Sequence, residues 1–104
     1  MKFGDIFICR FPFTSGNVSK SRPALVLFDL GTDAIICRLT SASPRGTLDL
    51  PVSDWQVAGL AKPTVARLDR LVTAEKSLLH VRLGELSDTD KATIRAQWNA
   101  QMQL

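Results

Sequence analysis

The first three extended runs of this chain are apolar on both faces, and that limits the fold more than any other feature. In the run from Asp5 to Phe11, Ile6 and Ile8 alternate with Phe7, Cys9 and Phe11. Arg22 to Leu30 holds the unbroken apolar stretch Ala24-Leu25-Val26-Leu27-Phe28, and in Ala34 to Thr40 the residues Ile35, Cys37 and Leu39 alternate with Ala34 and Ile36. A sheet with one wet face reads as apolar and polar in alternation, so these strands must be covered on both sides. A core lies on one side, with a helix or a second subunit on the other. Homodimerisation is the economical expectation, and a fully covered barrel is the bland one.

Punctuation sets the order of elements. Pro12 closes the first strand, because proline cannot donate to a central ladder. A polar loop, Thr14 to Ser21, follows, and Pro23 holds Arg22 extended at the start of the second strand. Gly31-Thr32-Asp33 is a turn, and Ser41 to Thr47, with Pro44 and Gly46, is a loop. Leu48 to Val52 carries an internal proline and is predicted to be a short edge strand. Ser53 to Gly59 is predicted to form one helical turn capped by Ser53. Thr64 to Leu71 alternates, with Val65, Arg67, Asp69 and Leu71 on one side, and Leu78 to Leu86 is a further strand. The last element is a helix. Ser87 and Asp90 form a capping pattern, with Asp where Glu or Gln is preferred, and Ile94, Trp98 and Met102 recur on one face.

Short strands and frequent turns followed by one amphipathic helix predict a mainly β fold, a small barrel or strongly bent sheet capped by the helix. With 104 residues the chain has room for a single domain, residues 1–104. Its 45% hydrophobic and 22% charged residues argue against disorder. No apolar run is long enough to span a bilayer and no signal-peptide core follows Lys2, so a cytoplasmic protein without membrane contact is expected. Cys9 and Cys37 both lie in apolar segments and are predicted to be buried thiols. With His80 they are too few and too scattered for a zinc site, so no metal or cofactor is implied.

A net charge of +3 permits an anionic partner without demanding one. The positions of the cations say more: Lys20, Arg22, Arg38, Arg45, Lys62, Arg67 and Arg70 fall at strand ends or in turns. Arg67 and Asp69, two apart on a strand, share a face and could be no more than an exposed ion pair. Arg22 alone is an ordinary strand-end charge, and Thr40-Ser41 a turn entry.

Taken together and in order, several segments resemble the PemK/MazF family of toxins from bacterial toxin–antitoxin pairs. They are Gly4-Asp5-Ile6, Phe11-Pro12-Phe13-Thr14, Lys20-Ser21-Arg22-Pro23-Ala24-Leu25-Val26-Leu27, Thr40-Ser41, Gly59-Leu60, Val65-Ala66-Arg67-Leu68-Asp69 and Leu83-Gly84-Glu85-Leu86-Ser87. The resemblance implies an SH3-like β-barrel with a C-terminal helix, usually homodimeric. It also implies metal-free, sequence-preferring cleavage of single-stranded RNA, held in check by a cognate antitoxin. The family's Arg-Pro motif falls on Arg22-Pro23, its Thr-Ser strand end on Thr40-Ser41, and its Arg-x-Asp pair on Arg67 and Asp69. A substrate-contacting histidine of some members has no counterpart between Phe11 and Arg22.

RNA carries its own nucleophile, the 2′-hydroxyl, and its cleavage builds negative charge on phosphate oxygens that a guanidinium can meet. Asp69 is the candidate base, Arg22 the charge stabiliser, and Arg67 a phosphate holder. Thr40 and Ser41 would hydrogen-bond phosphate or hydroxyl oxygens. Thr14, Lys20, Arg38, Arg45 and Arg70 are the remaining candidate RNA contacts. The expected products carry a 2′,3′-cyclic phosphate and a 5′-hydroxyl. Two other functions fit the same barrel. One is a gyrase-poisoning toxin, which would act through terminal-helix residues near Trp98 to Leu104, and the other is an RNA-binding barrel without turnover.

Overall fold

The computed structural model describes residues 1–12 and 19–104, with residues 11, 12, 19 and 20 described by backbone alone. Six strands form one antiparallel sheet in the order β4-β5-β3-β2-β1-β6. They are β1 Asp5–Pro12, β2 Ser19–Asp29, β3 Asp33–Thr40, β4 Asp49–Pro51, β5 Val65–Glu75 and β6 Leu79–Glu85. One 3₁₀ turn, Lys76–Leu78, joins β5 to β6, and helix α1 spans Asp88–Gln101. The mainly β class with a terminal helix is as the sequence predicts. β4, the strand with the internal proline, is an edge. The expected loop from Thr14 is shortened at its far end, since β2 already pairs with β1 from Ser19.

The alternation in β1, β2 and β3 separates two apolar clusters. Ile6, Leu25, Leu27, Cys37 and Leu39 point into the main core, where they meet Val52, Leu60, Ala66, Leu68, Leu86 and Ile94. From the opposite face, Cys9, Ala24, Val26, Ala34 and Ile36 pack against Ala74 and Leu79, which the end of β5 and the start of β6 bring across. The second face is thus covered in part by the chain itself. Leu71 and Val72 beside it remain 40% exposed, an apolar margin on the surface.

The sheet does not close on itself by hydrogen bonds, because β4 and β6 are not paired. The segment that follows β4 fills the gap. A Cβ on Gly59 would lie 2.2 Å from the Leu83 carbonyl oxygen, and one on Gly84 would lie 2.4 Å from that of Ala58. These two backbones approach more closely than any side chain permits, and Gly59 also needs its φ of +86°.

Two local expectations are corrected by long-range contacts. Ser53 to Gly59 is a series of turns rather than a capped helical turn, with a single helix-type bond from Ala58 N–H to the Asp54 carbonyl. Ser53 does not cap it. The buried Asp90 carboxylate accepts from the backbone N–H of Ser53 (3.0 Å) and Asp54 (2.8 Å). Ser87 does cap α1, accepting from Asp90 N–H at 3.1 Å, but the Asp90 side chain is spent on the neighbouring turn. On α1, Ile94 is buried, while Trp98 is half-buried edge-on against Phe28 at 5.9 Å between ring centres.

Candidate functional site

Arg22 and Pro23 stand where the sheet divides. β2 pairs with β3 only from Ala24↔Arg38 onward, so Pro23 lies just outside that ladder. Before this point β2 runs with β1 alone, Arg22 opposite Cys9, while β3 continues with β5, Leu39 opposite Ala66 and Thr40 opposite Val65. The divergence opens a cleft of about 440 Å³. Ile8, Pro23, Leu39, Leu60 and Leu83 supply its apolar surface, and Arg22, Arg38, Lys62, Thr40, Ser41 and Thr64 its polar groups.

The charge of this cleft is one-sided. Three cations line it and no carboxylate does, among the described residues. Neither Arg22 nor Arg38 nor Lys62 forms an ion pair with a described residue. The Thr40 hydroxyl oxygen accepts from Ala42 N–H at 3.2 Å, which turns the chain out of β3 and leaves the hydroxyl proton available to an anion. The site is thus built to receive negatively charged oxygens.

Arg67 and Asp69 sit beside this cleft rather than in it. Pairing between β3 and β5 jumps from Arg38↔Arg67 to Cys37↔Leu71, so Leu68, Asp69 and Arg70 bulge out of the ladder. Leu68 drops into the core and its N–H donates to the Leu48 carbonyl at 2.9 Å. The bulge breaks the simple alternation expected for this strand. Arg67 and Asp69 do not bond to each other but join a cluster built on Asp49, which lies opposite Arg67 on β4.

Asp49 is the hub of that cluster. Its carboxylate is 2% exposed and accepts from the Arg45 backbone N–H (2.8 Å), Nε (2.9 Å) and an Arg45 terminal nitrogen (3.1 Å). The Arg45 bonds outweigh the cost of burial and hold the Asp49 pKa down at about 2. Arg67 Nε lies 3.8 Å from the same carboxylate and has no hydrogen-bond partner. Arg45 also donates to Asp69 at 3.0 Å, so the candidate base is charge-paired, and with Arg45 and Asp49 it borders a shallow hollow of about 250 Å³. Arg70 is exposed next to it.

The two halves of the site share one row of the sheet. Ala24, Arg38, Arg67 and Asp49 are successive cross-strand partners, so their side chains lie on one face. Two strand spacings, about 10 Å, separate Arg38 from Asp49 along that row. Of the candidates read from the sequence, Thr14 lies outside the described residues, as does the side chain of Lys20. Asp49 escaped the sequence reading, although the Arg45-x-x-x-Asp49 spacing was visible, and Lys62 appeared only as one strand-end cation among several. Among the described residues no three His, Cys, Asp or Glu side chains converge as metal ligands.

Comparison with known proteins places the chain in a family. A model described as PemK-like, MazF-like toxin of type II toxin–antitoxin system matches residues 2–101. Among solved structures, an endoribonuclease from a mycobacterial species superposes with a TM-score of 0.77 at 16% identity, over 98% of this chain and 90% of that one. The Mycobacterium tuberculosis toxin MazF-mt6 superposes at 0.74 with 24% identity, over 92% and 94%. A mycobacterial endoribonuclease in complex with its cognate antitoxin gives 0.75 at 17% identity, over 98% and 94%. No curated protein matches the chain in sequence. Because the family model covers nearly its whole length, this chain belongs to the PemK-like, MazF-like toxins of type II toxin–antitoxin systems.

Proposed function

We propose that this toxin is a metal-independent endoribonuclease that cuts single-stranded RNA and is restrained by a cognate antitoxin. The carrying observation is the cleft between β2 and β3, lined by Arg22, Arg38 and Lys62, two hydroxyl-bearing residues at a strand end, and no described carboxylate. A phosphodiester fits these groups. Arg22 offers a planar, permanently charged donor to the phosphate oxygens on which the transition state gathers charge. Thr40 and Ser41 hydrogen-bond phosphate or hydroxyl oxygens at the same place.

The substrate strand crosses the row from Arg38 over Arg67 towards Asp69. Arg67 holds the phosphate as a cation, because a guanidinium gives up its proton too reluctantly to serve as the acid. Asp69, the candidate base, exchanges its Arg45 partner for the 2′-hydroxyl. Asp69 takes the proton of the 2′-hydroxyl as that oxygen bonds to phosphorus, the bond from phosphorus to the 5′-oxygen breaks, and the departing oxygen takes a proton from solvent water. The products are a 2′,3′-cyclic phosphate and a 5′-hydroxyl. Arg45 and Arg70, together with Thr14 and Lys20, extend the contact surface. The chain acts as a cytoplasmic homodimer, with the exposed apolar margin of Leu71 and Val72 offering a surface for the second copy. The gyrase-poisoning alternative, which would act through terminal-helix residues near Trp98 to Leu104, has no need of the cations and hydroxyls gathered in the cleft.

The test is incubation of the purified protein with long single-stranded RNA in excess EDTA, followed by analysis of fragment ends. Cyclic phosphates without added metal are expected, with cleavage lost in Arg22→Ala and strongly reduced in Asp69→Asn. Cleavage that needs magnesium, or fragments ending in 3′-hydroxyls, would refute the mechanism.

A further inference from the structure

We propose that Lys62 is a third phosphate-binding cation of the cleft, one that grips the RNA backbone away from the bond being cut. This rests on the reading of the cleft as an RNA site and names a residue that none of the matching motifs contains. Three observations carry it.

The first is location. Arg22 lies on β2 and Arg38 on β3, whereas Lys62 belongs to the segment after β4, so it enters the cleft from a different wall. An RNA strand lying between these walls meets cations on both sides. The second is the surroundings. Lys62 is exposed, and neither a carboxylate of the cleft nor any other described acid pairs with it. Its charge is therefore uncompensated where a polyanion would lie.

The third is the rigidity of the wall that presents it. The hydroxyl of the buried Thr64 donates to the Lys62 carbonyl at 2.8 Å, and the Thr64 carbonyl accepts from Val52 N–H at 2.9 Å. Upstream, Leu60 N–H donates to the Trp55 carbonyl at 3.0 Å, and Gly59 lies backbone to backbone against Leu83. The Asp90 carboxylate holds the start of the segment through Ser53 and Asp54. Anchored at both ends, the segment fixes the Lys62 backbone and leaves only the side chain to adjust. A flexible ammonium on a fixed base suits holding a phosphate in place, while the planar guanidinium of Arg22 suits the reacting one. Lys62 is accordingly a binding residue, whose loss weakens the hold on RNA and spares the chemical step.

The experiment measures binding and cleavage separately. Binding is followed by fluorescence anisotropy on a single-stranded RNA pool carrying 2′-O-methyl riboses, which removes the nucleophile, over a series of salt concentrations. Lys62→Ala is expected to weaken binding about 3- to 10-fold at 0.1 M salt and to reduce the slope of log affinity against log salt by about 0.7, the loss of one phosphate contact. On cleavable RNA its KM rises by a similar factor with kcat unchanged, and Lys62→Arg restores it. Arg95→Ala, which removes a cation from α1 outside the cleft, leaves slope and affinity as they are. The inference is overturned if wild type binds RNA and Lys62→Ala binds it equally well. It is overturned too if Arg95→Ala has the same effect, or if Lys62→Ala lowers kcat at constant KM. Wild type that fails to bind RNA refutes the endoribonuclease reading itself, and this inference with it.

Discussion

Asp49→Asn isolates the contribution of the charge cluster beneath the site. The wild-type carboxylate is nearly inaccessible and gathers three bonds from Arg45 with Arg67 close by. The amide keeps the shape and one acceptor oxygen but loses the charge, so the guanidinium groups of Arg45 in the loop and Arg67 on β5 both lose the buried carboxylate that lies against them. Removing one partner of a buried, charge-assisted hydrogen-bonded group costs about 2 kcal/mol here, allowing for the exposure of Arg45. In urea that corresponds to a fall of about 1.5 M in the unfolding midpoint. Trp55 and Trp98, both packed against the main core, report the transition by fluorescence.

The pH dependence identifies the source of that energy. Asp49 ionises near 3.8 when exposed and at about 2 in the folded chain. A carboxylate whose folded pKa is depressed stabilises fully above the unfolded value, and that stability is lost as pH falls through the folded one. The gap between wild type and Asp49→Asn should hold steady from pH 7 to about 5, then close between about pH 4 and 2. A gap as wide at pH 2.5 as at pH 7 would show that packing, not charge, is what the substitution removes. No gap at pH 7 would refute the hub altogether.

Three further outcomes follow from the fold. Gly59→Ala should destabilise by about 2 kcal/mol or more, through collision with Leu83 and a strained φ, whereas Gly31→Ala, with a φ of +99° but open space around it, should cost about 1 kcal/mol, as chemical denaturation can establish. Asp90→Ala should cost about 2 kcal/mol and speed amide exchange at Ser53 and Asp54 specifically; uniform protection there would contradict its role in holding the turn. Burial pushes the Cys37 thiol up to about 12 and raises Cys9 as well, so neither should react with a thiol reagent at pH 8 until denaturant is added.

The strands of this protein are legible because they rest on local rules. Two-residue alternation in β1, β2 and β3 separates Ile6, Leu25, Leu27, Cys37 and Leu39 from Cys9, Ala24, Val26, Ala34 and Ile36, and the two clusters follow that division. Pro12 and Pro51 mark a strand end and an edge strand, and Ser87 caps the helix as its position predicts. The groups at Arg22-Pro23 and Thr40-Ser41 are equally visible, and the structure brings them to one cleft.

What the sequence could not decide depends on register between segments far apart. Three residues bulge from β5 because pairing resumes at Leu71, and Asp69 within that bulge meets Arg45, while the register between β4 and β5 sets Arg67 opposite Asp49. Asp90 reads as half of a local cap, yet its carboxylate finds better donors 36 and 37 residues away. The cleft itself exists only because β2 and β3 take different partners beyond Ala24 and Arg38, which admits Lys62 from a segment whose own sequence says nothing of it. Side-chain periodicity is a property of the local backbone and can be read along the chain. The company a side chain keeps is set by bulges, edges and close glycine contacts, which the packed molecule alone decides.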